Sequence, residues 1–167
     1  MEFIAILADN VRSQAYLQTL VKKDMLPSKV MILKSHTNNS LGIISKKSAL
    51  FKKKYSFKNS IIDMKESLID TLKKNNISFE TVNNSDINSD VIFKKVLKYK
   101  EKIILVSVFA GQILKARILH TEKKFLHIHP GKLPEYRGST TIYYSLLQTN
   151  KVAATAIFLN EEIDKGN

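Results

Sequence analysis

A chain of 167 residues, 44% hydrophobic and with only 5 Gly and 3 Pro, has the length and apolar content for one globular domain with a core, which excludes a disordered, collagen-like or repeat protein. It contains no cysteine, so a disulfide framework, a thiol nucleophile and a thiolate zinc site are excluded too. The formal charge of +12, from 24 Lys and 3 Arg against 15 acids, raises nucleic acid, a membrane surface or phosphorylated substrates as partner classes. The 19 Ile and 12 Asn beside those lysines are what an AT-rich coding sequence yields, so most of the charge reads as solvated surface. No apolar run reaches the roughly 18 residues of a membrane span. The start, MEFIAILADN, carries Glu2 and Asp9 around a short apolar stretch and reads as structure rather than as a leader. A soluble, cytoplasmic protein with no membrane partner is expected.

Glu2 to Ala8 reads as a buried strand, and Val11, Ala15, Leu17, Leu20 and Val21 then mark one face of a helix. Lys29 to Leu33 is a second strand after Pro27. Lys34 to Asn59 has mixed polarity and few caps, and is expected to be a long loop with a short helix near Ser45 to Lys52. Ser60 to Asn75 carries Ile61, Ile62, Leu68, Ile69 and Leu72 at amphipathic spacing, Ile77 to Val82 reads as a strand, and Ser89 to Lys98 as a helix with Ser89 as N-cap. Lys102 to Val108 is the most apolar run and has the length of a central strand covered on both faces. Gln112 to Leu119 is expected to be a helix opened by Gly111, Lys124 to His129 a strand, Ser139 to Gln148 a helix and Val152 to Leu159 a strand. Strands alternating with helices predict an α/β, Rossmann-like, doubly wound and mostly parallel sheet with helices on both faces. In such sheets ligands sit beyond the carboxyl ends of the strands.

No Gly-rich turn follows the first strand, where ILADNVRSQ stands, so an ordinary dinucleotide site is not expected; a Walker A sequence and a G-x-S-x-G elbow are absent as well. Chemistry is instead concentrated in Phe125 to Ser139, FLHIHPGKLPEYRGS, which holds two of the four histidines, two of the three prolines and two of the five glycines. His127 and His129 are two apart on a strand and share a face. Such a pair either reaches one ligand or one metal, or packs one imidazole in the core while the other ends the strand. A metal needs a third ligand, and none is assigned.

HIHPGKLPEYRGS resembles the signature of the 10-formyltetrahydrofolate-dependent formyltransferases, the superfamily of methionyl-tRNA formyltransferase, glycinamide ribonucleotide transformylase and the nucleotide-sugar N-formyltransferases of bacteria. That signature runs Asn-x-His-Pro, Leu-Pro, Tyr-Arg-Gly, and an acidic segment ending Asp-x-Gly follows about thirty residues later; here LNEEIDKG supplies Asp164 and Gly166. The upstream SVFAGQIL is similar to the family's strand-turn-helix, and the resemblance runs from about Ile103 to Gly166.

The resemblance implies the formyltransferase fold and a role in one-carbon metabolism: transfer of a formyl group from 10-formyltetrahydrofolate to an amine. His129 matches the catalytic histidine and Asp164 the catalytic aspartate, while His127 occupies the family's asparagine position. His129 is expected to polarise the formyl oxygen, Asp164 to hold its imidazole and receive the amine's proton, and His127 to be a second donor to the developing oxyanion. The donor is expected against Val106, Val108, Phe109, Gly111 and Ile113, with Leu133, Arg137 and Gly138 lining the cleft. The expected acceptor is the amino group of a nucleotide-linked amino sugar, ahead of methionyl-tRNA, because the tRNA enzyme carries a further C-terminal domain. The basic Lys46 to Lys58 segment lies where that enzyme has a basic loop. Glycinamide ribonucleotide ranks last, since the Gly-rich turn is missing. Transfer to water by a deformylase, a His-based metal hydrolase, and a degenerate, non-catalytic ligand binder are the readings from other classes. Residues 1–167 are expected to form one catalytic domain without the family's C-terminal continuation, with homodimerisation left open.

Overall fold

The computed structural model describes residues 2–35, 62–63, 65–138 and 140–165. In chain order the elements are β1 Phe3–Ala8, α1 Val11–Lys22, β2 Lys29–Leu33, α2 Leu68–Lys74, β3 Phe79–Val82, α3 Asp90–Lys98, β4 Ile103–Ser107, α4 Ala116–Leu119, β5 Lys124–His129, α5 Thr141–Thr149 and β6 Thr155–Phe158. The strands make one sheet in the order β3-β2-β1-β4-β5-β6, parallel from β1 to β5, with β6 antiparallel to β5. This is the doubly wound α/β architecture expected.

Strand periodicity divides the core. Ile4 and Ile6, Met31 and Leu33, Ile104 and Val106, and Phe125 point to one face, where Ile92 and Val96 of α3 and Ile118 of α4 cover them. Ala5 and Leu7, Val30 and Ile32, and Leu105 point to the other, under Leu17 of α1 and Leu68 and Leu72 of α2. Burying both faces explains why β1, β2 and β4 read as nearly continuous apolar runs.

Several boundaries differ from the sequence expectation. Val11 is exposed, and the buried side of α1 runs through Ser13 and Leu17. The helix expected from Ser60 starts only at Leu68, because the Ser67 hydroxyl accepts from the Asp70 amide at 3.1 Å while Asp70 caps Ser67 in return, a reciprocal box that fixes the N-terminus. Residues 60 and 61, the 45–52 helix, the Lys46 to Lys58 segment and Gly166 lie outside the described residues. Ser89 stands at the N-cap position of α3, yet its hydroxyl makes no capping bond and is buried without a partner among the described residues. The helix expected over 112–119 is reduced to α4, because Gly111 takes a φ of +80° and the Gln112 side chain is tied to another loop. β6 is shorter than expected and begins at Thr155.

Glu80 of β3 joins β2, β3 and α3. Its carboxylate lies 3.1 Å from Lys29 Nζ, accepts from the Tyr99 hydroxyl at 2.7 Å and pairs with Lys95. Burial pushes the carboxyl up, but the bonds from Lys95, Tyr99 and Lys29 outweigh it and hold it at about 2. A folded-state value below the ordinary one stabilises the fold above the unfolded pKa and is lost as pH falls through the folded one. Glu80→Gln is therefore expected to cost about 1–2 kcal/mol at pH 7 in urea melts, with the gap to the parent chain shrinking below the ordinary pKa of 4.5 and closing near pH 2.

Candidate active site at the ends of β4 and β5

The two histidines end β5 on the face of Phe125. Register pairs His127 with Val106, which sets both at the carboxyl ends of neighbouring parallel strands. His129 is 2% exposed. Its Nε2–H donates to the Tyr136 carbonyl at 2.7 Å, and its Nδ1 lies 3.4 Å from Asp164 Oδ1. A carbonyl only accepts, so Nε2 carries the hydrogen and Nδ1 faces the carboxylate. The other Asp164 oxygen, Oδ2, accepts from the Gly138 amide at 2.7 Å. Both ends of this bond are left-handed, Gly138 at φ +88° and Asp164 at +52°, so two tight turns face each other across one carboxylate.

The loop between β5 and α5 is fastened at several points. A Cβ built on Gly131 would meet the Tyr136 carbonyl oxygen at 2.9 Å and both His129 Nε2 and Thr141 Oγ1 at 3.0 Å, so only glycine leaves room for the His129–Tyr136 bond. Thr141 donates to the Pro130 carbonyl. Thr155, the first residue of β6, donates to the Gly131 carbonyl at 2.7 Å and accepts from the Leu133 amide at 3.1 Å. The Leu133–Pro134 peptide is cis.

Beyond the strand ends lies a cavity of about 110 Å³ walled by Val106, Val108, Ile113, His127, Leu159 and Asp164. A larger cleft of about 490 Å³ runs along Asn88 and residues 111–116. The two share Gln112, Ile113, Leu114 and Glu161. His127, Asp164, Val106, Val108, Ile113 and Gly111, all singled out from sequence, thus border one composite space. Others among the expected residues do not. Phe109 packs against the core, Leu133 is held in the loop by Thr155, and Arg137 is exposed, its charge felt by Glu162. Neither His129 nor Gly138 lines either cavity; both stand behind Asp164.

His127 is tied differently from His129. Its Nδ1 faces the Val106 carbonyl oxygen at 3.3 Å. Burial pushes its pKa down, opposed by that hydrogen bond and by Asp164 and assisted by the charges of Arg12 and His129. The imidazole is therefore neutral at pH 7, with Nδ1 as its donor.

Sequence reasoning missed the supports from α1 and from the two loops. Arg12 donates to the Val108 carbonyl, the Ser13 hydroxyl reaches the Ser107 carbonyl at 3.1 Å, and the Tyr16 hydroxyl donates to the Ile128 carbonyl at 2.9 Å. Gln112 accepts from the Ile87 amide at 2.9 Å and donates to the Ser85 carbonyl at 2.6 Å. Asn88 bonds the Ile113 carbonyl and the Lys115 amide at 2.9 and 2.7 Å. The Asn10 cap, whose side chain accepts from Ser13, was the available signal for α1, since it turns Arg12 and Ser13 back toward the strand ends. Nothing in the local pattern marks Gln112 or Asn88.

Residues 19–167 match the family model for formyl transferase. The chain belongs to the formyl transferase family. A methionyl-tRNA formyltransferase of Finegoldia magna is 34% identical over 93 residues, 54% of this chain and 30% of that protein. The Bacillus subtilis methionyl-tRNA formyltransferase is 37% identical over 76 residues, 44% of this chain and 24% of its own length. The matches thus span about a quarter to a third of these curated relatives. Among solved structures, a phosphoribosylglycinamide formyltransferase of Streptococcus pneumoniae superposes with a TM-score of 0.61 at 13% identity, covering 99% of this chain and 78% of that one. A sugar N-formyltransferase of Shewanella gives a TM-score of 0.56 at 18% identity, covering 99% and 54%. These two likenesses establish the fold as that of formyltransferases. Among the described residues, no helix is long and apolar enough to cross a membrane, and no group of three or more His, Asp or Glu could hold a metal ion.

Gly131→Ala is expected to cost about 1–3 kcal/mol in urea melts, the usual range for overpacking. The same variant is expected to shift the His129 imidazole resonances in NMR, since its methyl group enters the space of the Nε2–Tyr136 bond.

Proposed function

We propose that the chain transfers a formyl group from 10-formyltetrahydrofolate to an amine, and that the amine belongs to methionyl-tRNA. One observation carries the transfer chemistry: the Asp164 carboxylate and the His127 imidazole both border the cavity beyond β4 and β5, with His129 fixed behind them. The cleft along residues 111–116 has a volume of about 490 Å³, inside the ordinary range for small-molecule sites. Gly111 has no atom within 4 Å of a built Cβ, so a flat ring can lie against its backbone, and Ile113 and Leu114 offer an apolar wall. These residues fit a folate donor, which when bound supplies the formyl carbon.

The chain's own groups divide the remaining work. Both nitrogens of His129 are engaged, so it offers no free N–H to a formyl oxygen in this arrangement; we assign it to holding the Asp164 carboxylate and the Tyr136 loop in place. Asp164 then presents a fixed negative charge at the cavity wall, where it attracts the acceptor's amino group and favours its loss of a proton. Holding the two reactants together supplies the larger part of the rate.

For the acceptor, the expectation of a nucleotide-linked amino sugar gives way to methionyl-tRNA. The relatives that resemble this chain in sequence, at 34 and 37% identity, are methionyl-tRNA formyltransferases, whereas the likeness to a sugar N-formyltransferase is one of fold at 18%. The charge of +12 also suits a polyanionic acceptor.

Incubation with 10-formyltetrahydrofolate and methionyl-tRNA is expected to give formyl-methionyl-tRNA. Asp164→Asn keeps an acceptor for the Gly138 amide but removes the charge, and is expected to lower kcat by about 100-fold with little change in melting temperature. Formylation of a nucleotide amino sugar but not of the tRNA would overturn the acceptor assignment. Formate release that needs no amine would make the protein a hydrolase, and folate binding without turnover on any amine would make it a non-catalytic ligand binder.

A further inference from the structure

We propose that His127, rather than His129, is the imidazole that works in the cavity, accepting at Nε2 the proton that the attacking amine loses. This rests on the formyl-transfer reading above. The geometry separates the two rings. His129 has both nitrogens occupied, by the Tyr136 carbonyl at 2.7 Å and by Asp164 at 3.4 Å, and it does not line the cavity. His127 does line it, and among the described residues only its Nδ1 is engaged, as the donor to the Val106 carbonyl at 3.3 Å. A neutral imidazole that donates from Nδ1 has a lone pair on Nε2. The asparagine of the family signature presents an amide N–H₂; the residue here presents an acceptor.

The charges around His127 favour this state. Arg12 from α1 and His129 from β5 disfavour a proton on it, while Asp164 from the C-terminal segment favours one, and Glu161 and Glu162 border the same cavity. Burial is the largest influence and holds the pKa below the ordinary 6.5, so the ring is unprotonated when the reaction starts. In the reaction the amine lone pair forms the new N–C bond to the formyl carbon. The bond between that carbon and the donor nitrogen breaks, its electron pair remaining on the donor nitrogen. One amine proton passes to His127 Nε2 and from there to that donor nitrogen, which restores the neutral imidazole. Asp164 steadies the positive charge on the ring between the two transfers.

Two measurements on the 167-residue chain test the assignment. Imidazole ¹⁵N NMR at pH 7 is expected to show His127 as the Nδ1–H tautomer; an Nε2–H tautomer would overturn it, whatever the turnover. In formyl-transfer assays kcat is expected to fall on the acid side through a pKa below 6.5, and His127→Asn to abolish that limb and lower kcat by about 100-fold with the KM for the folate donor nearly unchanged. His127→Gln serves as a second variant should the first fail to fold. A variant that keeps the acid limb and the parent kcat would overturn the proposal. Failure of the parent chain to formylate any amine would retire the transfer reading and the proton-accepting role with it, even if NMR shows the Nδ1–H tautomer.

Discussion

The Asp164 carboxylate is the constraint on which the site depends. It is only 13% exposed, and a carboxylate so enclosed needs hydrogen-bond donors. One oxygen takes the Gly138 amide and the other faces His129, so a single side chain ties the segment after β6 to the loop after β5 and to the end of β5 itself. His129 passes the tie on to the Tyr136 carbonyl, and Gly131 leaves the space in which that bond forms. The arrangement is closed: moving any one of these groups displaces the others. Such closure is what the proposed role of Asp164 in positioning the reactants requires.

The sheet determines where this closure sits. Chain order reverses between β1 and β4, the usual crevice for ligands in a doubly wound sheet. Here the first turn of α1 fills that position, with Arg12 and Ser13 bonded to the end of β4. The open space lies one strand further on, beyond β4 and β5, where the histidines emerge. Gln112 and Asn88 hold the segment 111–115 against the 84–88 loop, where Gly111 and Ile113 border the cleft.

Most of the architecture was legible in the sequence. Runs such as FIAILA, KVMIL and IILVS carry apolar residues at both odd and even positions, which only strands covered on both faces require, and their alternation with helices implies parallel pairing. The helix boundaries were less legible. Ser67 and Asp70 override an apolar spacing that extends further upstream, and Gln112 replaces helical bonds with long-range ones that no window of sequence contains. His127, His129 and Asp164 were recognisable by motif, because their spacing along the chain reflects the strand, the loop and the return of β6. The different tethering of the two histidines was not, since it depends on which carbonyl each ring meets, Val106 or Tyr136, and those lie 21 residues before and 7 residues after in the chain. Phe109, Leu133 and Arg137 lie in or near the motifs in sequence but do not border the two cavities, because packing turns them toward the core, the loop or solvent.

The proposed function requires the formyl donor in the composite space beyond β4 and β5, with its reactive carbon between His127 and Asp164. A crystal structure of the chain soaked with 5-formyltetrahydrofolate, a stable analogue, checks this. The ring system is expected along residues 111–116, with the N10 end of the molecule directed to the cavity of Val106, His127 and Asp164. A ligand seated instead in the separate cavity between Lys132, Tyr136 and Val152, with the space at His127 unchanged, would contradict it.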